Sequence, residues 1–88
     1  MKKSLSMKLD AITKIGVLKQ FTFEERIAEY KTWPVEYQAD PIKEAEEYHA
    51  KGMICMQFTT DIEGDESVIQ WNTPSQFIKN CYDWFIKE

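Results

Sequence analysis

The chain has 88 residues with 15 acidic and 11 basic side chains, a formal net charge of −4, and an apolar share of 43% beside 30% charged residues. That length fits one domain with a small core, and that balance excludes wholesale disorder. The charge is uneven: residues 1–20 hold five Lys against one Asp, whereas residues 21–88 hold six basic and fourteen acidic side chains, so the main body repels nucleic-acid phosphate.

The opening MKKSLSMKLD has the basic end of a signal peptide without its apolar centre, since Lys8 and Asp10 interrupt it. No run approaches the roughly 18 apolar residues of a membrane span. The expectation is therefore a cytoplasmic protein with reduced thiols and no membrane partner, forming a single domain over residues 1–88 with residues 1–5 loosely attached. Cys55 and Cys81 read as buried free thiols behaving like small hydrophobes.

From Ser4 or Ser6 to about Ile15, Leu5, Leu9 and Ile12 recur at helical spacing. Gly16 could close this helix in the left-handed conformation, leaving Val17–Phe21 as a short strand. Continuing the helix through Gly16 costs only about 1 kcal/mol, and the local balance falls slightly to a helix that continues or frays. Thr22 and Glu25 then form a capping box, and Phe23, Ile27 and Tyr30 line one face of a second helix that Pro34 stops near Trp33. Residues 34–39 read as a loop. Asp40 and Pro41 look like the cap and first residue of a third helix that ends at Gly52, with Ile42, Ala45 and His49 sharing a face.

Residues 52–88 organise the rest. Ile54, Met56 and Phe58 fall at period two, as do Ile69 and Trp71, and the segment Asp61–Glu66 between them has hairpin-loop chemistry. Thr73, Pro74 and Gln76 predict a capped final helix whose stripe of Phe77, Ile78, Cys81, Tyr82, Trp84 and Phe85 packs on the hairpin. Phe58, Trp71, Phe77 and Phe85 are expected to be buried against one another. The fold class is α+β: an antiparallel β-hairpin, extended by a third short strand if residues 17–21 leave the helix, packed by three to four helices on one side.

Chemistry-bearing residues are sparse. His49 is the only histidine; its face-mates are apolar, a helix C-terminus favours it, and two distant cysteines lack zinc-ligand spacing. The acidic segment of Asp61, Glu63, Asp65 and Glu66 fails as an EF-hand: counting from Asp61, Glu66 falls where glycine is required and Asn72 where glutamate is required. Leu9, Ile12, Gly16 and Val17 faintly suggest the first helix and turn of a helix-turn-helix, but the glycine spacing is one residue short and the second helix would open Phe-Glu-Glu, acidic where phosphate would approach. No Gly-rich phosphate loop, GxSxG elbow, CxxC pair or HExxH occurs. The adjacent pairs Glu24/Glu25 and Glu46/Glu47 point about 100° apart on a helix, so neither is an acid/base pair.

These readings leave no catalytic or metal-ligating residues and no cofactor to assign. The favoured expectation is a small, acidic, non-catalytic protein that binds a protein with a basic surface, in the manner of inhibitors, immunity proteins, antitoxins or phage anti-defence (anti-CRISPR-like) proteins. Its contact residues would be Glu44, Glu47, Asp61, Glu63, Asp65 and Glu66. The alternative is a structural or self-associating adaptor using the final helix or Trp33 and Tyr37 as its contact patch, the chain being a monomer or homodimer. A small His/Cys enzyme or metal protein is the third reading.

Overall fold

The computed structural model describes residues 4–61, 63 and 66–86. Over them the chain runs α1 (Leu5–Thr13), β1 (Gly16–Phe21), α2 (Phe23–Tyr30), a 3₁₀ turn (Val35–Tyr37), α3 (Ala39–Ala50), β2 (Ile54–Thr60), β3 (Ser67–Asn72) and α4 (Pro74–Phe85). The strands form one antiparallel sheet in the order β1-β2-β3, giving a small α+β domain. The expected loose N-terminus lies partly in residues 1–3, outside the described residues; Ser4 accepts a hydrogen bond from the Met7 N–H and caps α1.

The strand reading of residues 17–21 wins over the continued helix, because β1 pairs along its whole length with β2, from Gly16 opposite Thr60 to Phe21 opposite Cys55. A ladder of that length outweighs the small local preference that kept helix competitive. Gly16 is thus a strand residue and not a left-handed helix end. A Cβ there would lie 2.7 Å from the Phe58 ring. Gly52 does take the left-handed role, at φ 81°. Its N–H reaches the His49 carbonyl and that of Met53 reaches the Tyr48 carbonyl, each at 3.0 Å, closing α3 in a Schellman motif.

Two caps differ from expectation. Asp40 sits inside α3, which starts from Gln38 without a side-chain cap. At α4, Thr73 accepts from the Gln76 N–H at 3.3 Å as expected, but the Gln76 side chain turns along the helix to Asn80. The side-chain Oδ1 of Asn72 accepts from the Thr73 N–H instead, at 2.8 Å. The Thr22–Glu25 box is complete, and the Thr22 backbone N–H, with the Thr22 hydroxyl beside it, holds the Glu25 carboxyl below its ordinary range.

Helices cover both faces of the sheet, not one. On the first face Met56 and Phe58 meet Ile12 of α1 and Phe77, Ile78 and Cys81 of α4, all buried. On the second face the register aligns Phe21, Cys55 and Trp71 in one row, and α2 and α3 close over its end, burying Tyr30 and Ala45. Trp71 therefore does not join the Phe58–Phe77 cluster. It stacks on Tyr48 of α3, ring centres 6.4 Å apart. Val68, opposite Phe58, takes the place on the first face. Phe85 packs on Phe58 at 5.4 Å as expected, although it is only half-buried. No described helix is long and apolar enough to cross a membrane.

Candidate functional site

The six acidic residues singled out from the sequence fall on two elements. Glu44 and Glu47 are exposed on α3. Asp61, Glu63 and Glu66 are exposed on the turn between β2 and β3, with Asp65 outside the described residues. The turn is anchored rather than loose at its base: the Asp61 N–H donates to the Ile15 carbonyl at 2.7 Å, and Thr60 N–H to the Glu66 carbonyl at 2.8 Å. Among the described residues one ion pair forms, Lys79–Asp83 at 2.7 Å. All five described candidate carboxylates are exposed, and among the described residues none pairs with a cation.

His49 and the cysteines do not converge. The His49 ring lies face to face on Phe23, with ring centres 4.3 Å apart. Cys55 and Cys81 are buried on opposite faces of the sheet. Burial raises both thiols, Cys81 to about 11; at Cys55 the nearby Arg26 charge partly opposes the rise. Among the described residues no three His, Cys, Asp or Glu side chains are grouped so as to hold a metal ion.

The corner between α2 and α3 is built differently. Trp33, Val35 and Tyr37 are 39%, 82% and 62% exposed on consecutive alternate positions. Exposure of single apolar residues is ordinary, but three on one short segment form a patch. The segment is held in shape. The Gln38 side-chain amide donates to the Trp33 carbonyl at 2.7 Å and to that of Lys31 at 3.2 Å. The Tyr37 N–H closes the 3₁₀ turn onto the Pro34 carbonyl at 2.8 Å. Trp33 stands edge-on to the buried Tyr30, ring centres 5.2 Å apart. Exposed carboxylates of Glu29, Glu36 and Asp40 flank the patch in sequence. Such an arrangement can place rigid aromatic surface against a partner while the acids meet cations around it.

A cleft of about 410 Å³ opens beside this corner, lined by Arg26 and Tyr30 of α2, Glu44 and Tyr48 of α3, and Cys55 and Trp71 of the sheet. The sequence reading missed it. Its signal was present: Arg26 is the chain's single arginine and lies four residues before Tyr30, so the two share a helix face. What was not legible is that Phe21 of β1 would also lie against the guanidinium, 5.1 Å from its carbon to the ring centre. No protein-family model, no curated protein and no solved structure matches this chain.

Proposed function

We propose that this chain is a non-catalytic binding protein that occupies a basic surface on another protein, the mode of action shared by inhibitors, immunity proteins, antitoxins and phage anti-defence proteins. The observation that carries the reading is the pinned corner of Trp33, Val35 and Tyr37, set between two acid-rich helices. A patch whose backbone is fixed before binding loses little ordering entropy on association, and Trp and Tyr are the residues that anchor interfaces most often. The acids of α3 and of the β2–β3 turn would steer a basic partner from a distance and set its orientation.

The test is affinity capture from the native host, with the captured protein identified by mass spectrometry and its binding then measured directly. Tyr37→Ala combined with Val35→Ser should abolish capture of a partner that the wild-type chain retains. A partner captured equally by both would move the contact off this corner.

A second reading, self-association, is favoured by the outer edges of β1 and β3, which pair with no further strand among the described residues, and by exposed Val17 and Ile69 on the second face. Sedimentation of the purified protein separates the two readings: a concentration-independent monomer removes the second.

A further inference from the structure

The cleft between α3 and β3 holds two opposite charges that do not pair. Arg26 and Glu44 both line it, yet among the described residues the one ion pair is elsewhere, between Lys79 and Asp83. The Arg26 Nε is buried and has no hydrogen-bond partner, an uncommon state for a buried donor. The side chain is nonetheless held in place, since its guanidinium carbon lies 5.1 Å from the ring centre of Phe21 and 4.8 Å from that of Tyr30. Two rings orient the guanidinium without engaging its terminal N–H groups, which leaves its planar fork free for a carboxylate. Tyr48 and Trp71, which also line the cleft, stack within 20° of parallel and give it an aromatic part.

We propose that this cleft binds a small zwitterion with an apolar or aromatic body, the chemistry of a free apolar α-amino acid. Its carboxylate docks on Arg26, its ammonium turns toward Glu44, and its side chain lies along Tyr48 and Trp71. Each part of the cleft selects against a simpler ligand. An anion alone meets the Glu44 carboxylate, and a cation alone meets Arg26. A ligand carrying both charges satisfies both groups and remains neutral overall, so its desolvation is matched by two charge-assisted contacts. A cleft of about 410 Å³ lies within the usual range for small-molecule sites, and its largely polar lining suits a ligand that carries two charges. The proposal does not depend on the protein-binding corner, none of whose exposed residues lines the cleft.

Three probes sharing a phenyl ring test it: L-phenylalanine, phenylacetate and phenethylamine, each titrated into the labelled protein while the Trp71 indole N–H resonance is followed. L-phenylalanine should bind tightest, phenylacetate weaker and phenethylamine weakest. Glu44→Gln should weaken L-phenylalanine by about tenfold, to the level of phenylacetate, and leave phenylacetate no weaker than before. Arg26→Gln should weaken both carboxylates by about ten- to hundredfold, with Arg26→Lys between it and the wild type. Glu44 is exposed, so its replacement leaves the fold intact and decides the matter even if Arg26→Gln does not fold. An unmoved Trp71 resonance at about 10 mM L-phenylalanine, where even a millimolar site would be filled, overturns the proposal. So does phenethylamine binding as well as L-phenylalanine, or a Glu44→Gln variant that binds L-phenylalanine unchanged.

Discussion

Gly16 lies directly against the ring of Phe58, so that a Cβ on residue 16 would sit 2.7 Å from the ring's tip and closer still to the Thr59 carbonyl. The contact is backbone on one side and a fully buried aromatic on the other, and neither can swing away cheaply. Gly16→Ala should therefore destabilise the protein by about 1–3 kcal/mol, the cost of overpacking a close-fitted core. Denaturant unfolding measures it. A midpoint equal to the wild type would mean that β1 does not seat on Phe58.

The start of α4 separates two roles that the sequence joined in one motif. Thr73 supplies the cap, and Asn72 supplies the reciprocal acceptor that Gln76 was expected to supply. Thr73→Ala should cost about 0.5–2 kcal/mol. Gln76→Ala, which gives up only an exposed bond to Asn80, should stay within about 0.5 kcal/mol. Equal losses for the two variants would restore the capping box in its expected form.

The contrast between these two sites shows what was legible. Local signals held where one residue and its near neighbours decide the outcome: Thr22 with Glu25, Gly52 after α3, Thr73 before α4. They failed where a distant strand decides. Gly16 reads as a helix end until β2 is present to pair with it. Ile69 and Trp71 read as a core face because both are apolar, yet Val68 is apolar too, and only the register with β2 shows which of the two sets faces Phe58. Helices on both faces made apolar residues necessary on both sides of β3, which erases the alternation that would have told them apart. The candidate site divides in the same way. The acids were visible as residues, and the Trp33–Tyr37 patch as a segment. The Arg26 cleft was not, because it joins Arg26, Tyr48 and Trp71 from three separate elements.

The burial of the aromatic residues ranks their substitutions. Phe77 is fully buried, whereas Phe85 covers Phe58 from the edge and stays partly open. Phe77→Ala should cost about 3–5 kcal/mol, close to the whole stability of a domain this small. Phe85→Ala should cost less and leave a folded protein. Thermal unfolding of the two variants gives the order, and the reverse order would move the centre of the core toward the C-terminal end of α4.

Both thiols are raised by burial, Cys81 to about 11. The folded state thus holds these protons more tightly than the unfolded chain, where a thiol titrates near 8.5. The sign follows: the contribution to stability is complete below about pH 8.5 and, for Cys81, is lost as pH climbs from there through about 11. Neither cysteine should react with a thiol reagent at neutral pH until denaturant is added. Cys81→Ala should flatten part of the fall in thermal midpoint between these pH values. Rapid labelling of the native protein at pH 7 would contradict the buried placement.

Binding of a basic partner makes separable demands on the corner and on the acids. Trp33, Val35 and Tyr37 supply contact area at a fixed backbone, so their loss should appear in dissociation. Tyr37 is 62% exposed and Val35 82%, so replacing them should shift stability by no more than about 0.5 kcal/mol while costing at least about 2 kcal/mol of binding if they anchor the interface. The acids of the turn act over distance. Replacing Glu63, Asp65 and Glu66 together with Lys should slow association and blunt its dependence on salt, with little change in dissociation or in thermal midpoint. Kinetics with the captured partner at two salt concentrations read both effects. Association unchanged at both salts would confine recognition to the corner. Dissociation unchanged by Tyr37→Ala and Val35→Ser would instead place the contact on the acids of α3 and the turn, with the aromatic corner free for a second copy of the chain.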